Sequence, residues 1–160
     1  MHSVGAFVLH LLSVRTPPRG LAGRRPLVAC LSTAPSEVLL IRHGRTYMNE
    51  HLSAHPWGAP GFADAHLFDT RLTATGLDQA AELREGLLGA RAALLEHVAV
   101  VYASPLSRAL ETAAIALPPD ELLPGVARRA LPEARERLYL SSDVGRASDE
   151  LCEGTLSRRR

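Results

Sequence analysis

Apolar residues in this chain form two short continuous runs and one longer run with helical spacing. The short runs, EVLLI at 37–41 and VAVVYAS at 98–104, are apolar almost throughout and are bounded by turn residues, as is typical of buried central strands in a parallel sheet. The longer run, TGLDQAAELREGLLGARAALLEH at 75–97, carries apolar residues at helical spacing: Leu77, Ala80, Ala81, Leu87 and Leu88. It predicts an amphipathic helix that has Thr75 as its N-cap.

The second short run leads directly into another predicted helix. SPLSRALETAAIAL, at 104–117, starts with Ser104 as a candidate N-cap and Pro105 at the first helical position. The segment from Tyr47 to Arg71 has no sustained period, which predicts a long surface loop, and PGVARRAL at 124–131 predicts at most a short strand. The alternation of strands and helices indicates an α/β fold with a mostly parallel sheet covered by helices.

The chain length and composition predict one folded domain at 37–160. Residues 1–36 contain no acidic residue but several arginines, serines and threonines, which favours an organelle transit peptide, with a disordered extension as the alternative. A transit peptide would direct the protein to a plastid or mitochondrion; otherwise we expect it in the cytoplasm. We expect no membrane span and no attraction to nucleic acid, since no apolar stretch reaches about 18 residues and the net charge is only +1.

Charged side chains follow the ends of both predicted strands. The first strand ends in Arg42 and His43, followed by Gly44 and Arg45, and Arg108 follows the second. Parallel sheets place ligands beyond the carboxyl ends of their strands, and arginine suits a phosphoryl group because it can donate two hydrogen bonds at once. A neutral histidine can act as a nucleophile, and a carboxyl group such as that of Glu136 can protonate the leaving alcohol. The pattern favours phosphoryl transfer.

Four stretches resemble, in order, the motifs of the histidine phosphatase superfamily, also called phosphoglycerate mutase-like. They are LIRHGRTYMNE, DTRLTATGLDQAAEL, YASPLSRALETA and EARERLYLSSDVGR, within Val38 to Arg146. The resemblance implies a three-layer α/β/α fold that uses no metal or organic cofactor. It implies that Arg42 and Arg108 hold the phosphoryl group, that His43 becomes a phosphohistidine, and that Glu136 serves as general acid and then base. Arg45, Thr46 and Asn49 would line the pocket less directly.

Two features of the resemblance leave alternatives open. Glu133 lies close to Glu136 in the sequence, and either could be the carboxylate that faces the phosphate, although the pair Glu136-Arg137 matches the family better. The family also has a second histidine late in the chain, and no histidine here follows the Arg108 motif. We therefore expect that the last part of the domain is missing, through a truncated gene model or degeneration.

Three functions follow from these expectations. The first is a phosphomonoesterase that acts through a phosphohistidine on a small-molecule phosphate ester or another phosphorylated substrate. The second is an impaired remnant that at most binds phosphate, and the third is a mutase-type phosphotransferase. A metal site is not expected, because His51 and His55 precede Pro56 without a third candidate ligand. The sequence leaves the substrate and the oligomeric state open.

Overall fold

The computed structural model describes residues 10–12, 38–89, 92–96, 98–121, 123–147 and 149–150. In chain order, its strands and helices are β1 (His10–Leu12), β2 (Val38–Leu39), α1 (Tyr47–Ala54), α2 (Ala74–Leu88), α3 (Ala92–Leu95), β3 (Val100–Ala103), α4 (Ser107–Ala116) and β4 (Ala127–Ala130). Two short 3₁₀ turns, Pro132–Ala134 and Ser141–Asp143, follow β4. None of the helices in this part of the chain is long and apolar enough to cross a membrane.

The strands form one sheet in the order β2-β1-β3-β4. β3 and β4 pair in parallel, with Val101 opposite Arg128, and α4 connects them. β1 runs antiparallel to both of its neighbours, so β2, β3 and β4 all point in the same direction. This arrangement confirms the predicted α/β fold with parallel strands β2, β3 and β4, while β1 makes the sheet mixed. The short strand expected within 124–131 is β4. The third layer stays a prediction.

β1 lies in the segment that we expected to be outside the domain. Its Leu11 pairs with Leu39 of β2 on one side and with Val101 of β3 on the other. Since β1 occupies the place beside β3, β2 lies at the edge of the sheet and not at its centre, and Val38 and Leu40 are 44% and 56% exposed. The rest of 1–36 lies outside the described residues, so a transit peptide or extension there stays a prediction.

The helix predicted at 75–97 starts earlier and is divided into two. Thr73, not Thr75, is the N-cap of α2, and its Oγ1 accepts a hydrogen bond from the amide of Gly76 at 3.2 Å. α2 ends before Gly89, a residue of low helix propensity, and α3 forms separately. Of the five predicted core residues of this helix, Ala80 and Leu87 are buried, whereas Leu77 and Leu88 are exposed.

The segment predicted as a loop from residue 47 instead begins with α1. Thr46 Oγ1 accepts a hydrogen bond from the Asn49 amide at 3.1 Å, and Asn49 Oδ1 accepts one from the Thr46 amide at 3.0 Å. This reciprocal capping box stabilises the first turn. The helix was not predicted, because asparagine replaces the usual Glu or Gln of the capping box and because Met48 is the one buried residue of the helix.

α4 begins at Ser107, three residues after the serine that we expected to cap it. Ser104 Oγ accepts a hydrogen bond from the Leu106 amide at 3.4 Å and so belongs to a turn before the helix. The amide of Ser107 is bound from another segment, by Oδ1 of the buried Asp69 at 2.8 Å. Asp69 thus caps α4 from 38 residues away in the sequence, which local sequence patterns do not reveal.

A hydrophobic core joins the helices to the sheet. It contains Leu87, Leu95, Val101, Ala103, Ala113, Ala116, Leu117 and Leu123. These residues come from α2, α3, β3, α4 and the segment before β4, so helices and sheet bury their apolar faces together. The core packs α2 and α4 against β3, and the partly buried Leu39 and Ile41, next to the predicted site residues, pack against it.

Candidate functional site

The segment after β2 is attached to α4 by one buried threonine. Thr112 Oγ1 donates a hydrogen bond to the carbonyl oxygen of Arg108 at 2.8 Å and accepts one from the amide of Gly44 at 3.1 Å. Thr112 is 4% exposed, so these bonds form away from water. They hold the backbone next to His43 against the helix that carries Arg108.

The same segment packs tightly against the start of α2. Gly44 and Gly76 meet backbone to backbone: a Cβ atom on Gly44 would overlap the carbonyl oxygen of Gly76, and one on Gly76 would overlap that of Arg45. The amide of Thr73 donates to the carbonyl oxygen of Arg45 at 2.9 Å. Both positions therefore need glycine for this close approach. The contact holds the segment after β2 against α2, in addition to its attachment to α4.

His43 is held as a neutral ring. Its Nδ1 lies 2.8 Å from the carbonyl oxygen of Gly44, and since a carbonyl oxygen can only accept, Nδ1 carries the proton and Nε2 has a free lone pair. Burial lowers the pKa of His43 from 6.5 to about 4, against the effect of the Gly44 hydrogen bond, and the positive charges of Arg108 and Arg42 lower it further. At neutral pH the ring can act as a nucleophile.

The side chain of Arg108 is buried, with 4% of its surface exposed, and has three acceptors. Nη1 donates to the carbonyl oxygen of Ser142 at 2.7 Å, and Nη2 donates to Glu136 Oε2 at 3.0 Å and to Asp143 Oδ1 at 3.1 Å. A buried charge requires such partners, because an unpaired one would cost several kcal/mol. The guanidinium group is thus fixed before any ligand binds.

Glu136 and Glu133 have different surroundings. Glu136 is partly buried and binds Arg108, and burial followed by the negative charge of Asp143 raises its pKa above the usual 4.5, against the effects of Arg108 and Arg42. Glu133 is exposed in the Pro132–Ala134 turn. Of the two carboxylates, Glu136 is the one that contacts Arg108.

A cleft of about 460 Å³ opens beside His43. Its lining residues come from the segment after β2, from α1 and from α2: Arg42, His43, Arg45, Asn49, Leu52, Ser53 and Gln79. Gln79 also fixes the backbone, since its Oε1 accepts from the amide of Arg45 at 2.9 Å. A cleft of this size has room for more than one phosphoryl group, so part of a substrate's remaining structure can bind along α1.

A family model matches the part of the chain that carries His43, Arg108 and Glu136. The model described as Histidine phosphatase superfamily (branch 1) matches residues 38–139, more than half of the chain. The chain belongs to the histidine phosphatase superfamily. Comparisons with curated proteins and with solved structures gave no match. Membership covers phosphatase and mutase activities on phosphorylated substrates, and it confirms the resemblance carried by the four sequence motifs.

Most of the predicted site residues lie around the cleft or Arg108. Arg42, His43, Arg45 and Asn49 line the cleft, and Arg108 binds Glu136. Thr46 is different: it is 1% exposed and its hydroxyl caps α1, which places it under the cleft wall as a structural residue.

Several residues of the site were not predicted from the sequence. Leu52, Ser53 and Gln79 line the cleft, and the first two do so because α1, which was not predicted, forms this wall. Asp143, which binds Arg108, was part of a quoted motif, but its charge had no assigned role. In the described residues, no group of three or more His, Cys, Asp or Glu side chains could hold a metal ion.

Proposed function

We propose that this histidine phosphatase is a phosphomonoesterase that acts through a phosphohistidine on His43. The observation that carries the proposal is the state of the His43 ring. Nδ1 donates to Gly44, the pKa lies near 4, and Arg42 lines the same cleft. A neutral nucleophile next to positive charge suits attack on a phosphate ester.

In the first step, Nε2 of His43 attacks the phosphorus atom of the ester. The N–P bond forms while the bond between phosphorus and the leaving oxygen breaks, and that oxygen takes the proton of Glu136. Arg42 and Arg108 offset the negative charge on the phosphoryl oxygens. Glu136 suits the proton transfer because its raised pKa keeps it protonated to a higher pH than an ordinary glutamate.

In the second step, water replaces the histidine. The oxygen of a water molecule attacks phosphorus while the Glu136 carboxylate accepts a proton from that water. The N–P bond breaks at the same time. The products are inorganic phosphate, a neutral His43 and a protonated Glu136, so the cycle closes without a net change in the enzyme. As proposed, arginine side chains supply the positive charge of the site, and the reaction needs no metal or organic cofactor.

Hydrolysis fits the shape of the cleft better than the mutase reaction does. A mutase returns the phosphoryl group to its substrate and must exclude water while it does so. Here Arg42 and Arg45 are exposed, so solvent reaches the phosphoryl position. The proposed substrate is a small-molecule phosphate ester or another phosphorylated molecule, and water is the proposed acceptor.

The proposal is tested by hydrolysis of 4-nitrophenyl phosphate by the full chain and by variants. We expect His43→Ala and Arg108→Ala to lower kcat/KM by about 10³-fold or more, as losses of a nucleophile and of a transition-state contact do. The matched controls are His55→Ala, an exposed histidine after α1, and Arg84→Ala, which pairs with Glu121. Both should stay within about twofold of the wild type.

Intact-protein mass spectrometry during turnover should show one added phosphoryl group in the wild type and none in His43→Ala. Equal background rates in the wild type, His43→Ala and Arg108→Ala would reject the enzyme. They would leave phosphate binding, measured with inorganic phosphate by calorimetry, as the function to examine.

A further inference from the structure

Asp143 is a buried carboxylate that shares a partner with the proposed proton donor. It is 4% exposed, and its Oδ1 lies 3.1 Å from Arg108 Nη2. The same Nη2 lies 3.0 Å from Oε2 of Glu136. Two carboxylates therefore bind one nitrogen atom of one guanidinium group, and their negative charges lie close together.

The position of Asp143 is fixed by its other contacts. Oδ2 accepts hydrogen bonds from the backbone amides of Tyr139 at 3.2 Å and Leu140 at 3.1 Å. The residue ends the 3₁₀ turn Ser141–Asp143, and Arg135 Nη2 donates to its carbonyl oxygen at 3.2 Å. Because these bonds hold the side chain, its charge stays near Glu136.

We infer that Asp143 is a positioning residue that neutralises part of Arg108 and so keeps Glu136 available as a proton donor; the inference rests on the proposed function. If Glu136 were the sole carboxylate on Arg108, the two would form a stable ion pair, and Glu136 would stay ionised. An ionised carboxylate cannot protonate a leaving alcohol. Asp143 weakens that pair by binding the same nitrogen.

The charges that act on Glu136 come from three segments. Arg42 follows β2, Arg108 lies on α4, and Asp143 lies in the last 3₁₀ turn. Burial and Asp143 raise the pKa of Glu136, whereas Arg108 and Arg42 lower it. Removing the charge of Asp143 would leave both arginines in place, so the pKa of Glu136 should fall.

The test is a carbon-13 NMR titration of the Glu136 carboxyl group, assigned with Glu136→Gln, in the wild type and in Asp143→Asn. We expect the substitution to lower the pKa of Glu136 by about one unit, the size of effect that a neighbouring charge has. The alkaline limb of the pH profile of kcat/KM should move to lower pH by the same amount. At pH values above the pKa of Glu136, kcat/KM of Asp143→Asn should be about tenfold lower than that of the wild type, since one pKa unit changes the protonated fraction tenfold.

Asp64→Asn is the matched control. Asp64 binds the same segment as Asp143, because its carboxylate accepts from the hydroxyl and the amide of Ser141 at 2.5 and 2.7 Å. This substitution should loosen the segment without removing a partner of Arg108, so the pKa of Glu136 should stay at its wild-type value. If Asp143→Asn does not fold, Asp143→Ser carries the same expectation, since a serine hydroxyl can accept from a backbone amide.

An unchanged pKa of Glu136 in Asp143→Asn, or an equal shift in Asp64→Asn, would overturn the inference. The titration needs no turnover. If the wild type does not hydrolyse a phosphate ester, the phosphomonoesterase proposal fails. The carboxyl titration still decides whether the charge of Asp143 sets the pKa of Glu136.

Discussion

At the scale of single residues, burial shifts the pKa values of His43 and Glu136 in opposite directions. Burial and two arginines lower the pKa of His43 to about 4. Burial and Asp143 raise the pKa of Glu136. Burial disfavours the charged form of both groups, which lowers the pKa of a base and raises that of an acid. Burial thus favours a neutral His43 and keeps Glu136 protonated to a higher pH than an ordinary glutamate.

These two shifts predict a bell-shaped pH profile. kcat/KM for 4-nitrophenyl phosphate should rise with pH through about 4, as His43 loses its proton. It should fall again above 4.5, as Glu136 loses its own, because the profile of kcat/KM reports the free enzyme's essential groups. Glu136→Gln should remove the falling limb and cost about 10²–10⁴-fold in rate. Glu133→Gln, which changes an exposed residue, should keep the falling limb of the pH profile. Loss of that limb in Glu133→Gln would show that Glu133 is the acid.

At the scale of secondary-structure elements, two glycines set the distance between α2 and the His43 segment. We expect Gly44→Ala to lower the free energy of unfolding by about 1–3 kcal/mol, because its Cβ would overlap the backbone of Gly76. Gly86→Ala is the control: it lies on the exposed face of α2 with open space around it. That change should raise stability by about 0.5–1 kcal/mol. Urea unfolding measures both, and equal effects would contradict the contact.

The start of α4 depends on a residue outside the helix. Asp69 is 1% exposed, its Oδ1 accepts from the Ser107 amide at 2.8 Å, and its Oδ2 accepts from the Ser107 hydroxyl at 2.5 Å. Asp69→Ala would leave both donors unpaired and should cost about 1–3 kcal/mol of stability. Because Arg108 is the next residue, KM should also rise.

Asp69→Asn provides the comparison for this cap. Asparagine tolerates the left-handed backbone of this position, where φ is 42°, and it keeps one acceptor oxygen. It should recover part of the stability and of the KM. Thermal unfolding measures the stability of each variant, and kinetics with 4-nitrophenyl phosphate measure its KM. An unchanged KM in Asp69→Ala would show that the cap does not set the position of Arg108.

Elements that depend on local patterns could be predicted from the sequence, and those that depend on distant partners could not. Strands β3 and β4 and helices α2 and α4 follow from apolar runs and periodicity. The cap on Ser107, the glycine contact and the pairing of Arg108 with Asp143 join residues that are 32 to 38 positions apart. Tertiary contacts of this kind leave little trace in one sequence. α1 was missed although its capping signal is local, because its apolar residues lack a period.

At the scale of the whole molecule, the site and the sheet depend on different contacts. Thr112 links the segment that carries His43 to α4, because its hydroxyl accepts from the Gly44 amide and donates to the Arg108 carbonyl oxygen. The side chain of Arg108 in turn binds Glu136 and Asp143. β1, in contrast, pairs only with β2 and β3 among the described strands. Loss of β1 should therefore reduce stability and leave the chemistry of the site largely unchanged.

Deletion of residues 1–36 tests this separation. The shortened chain should lose about 2–4 kcal/mol in free energy of unfolding, since several backbone hydrogen bonds, each contributing about 0.5–1.5 kcal/mol, lose their partners. Its kcat/KM should stay within about threefold of the full chain. Leu11→Pro is the matched variant in the full chain, because proline cannot donate within a strand that has neighbours on both sides. An equally stable shortened chain would show that the sheet does not need β1, and would favour the original expectation that 1–36 lies outside the domain.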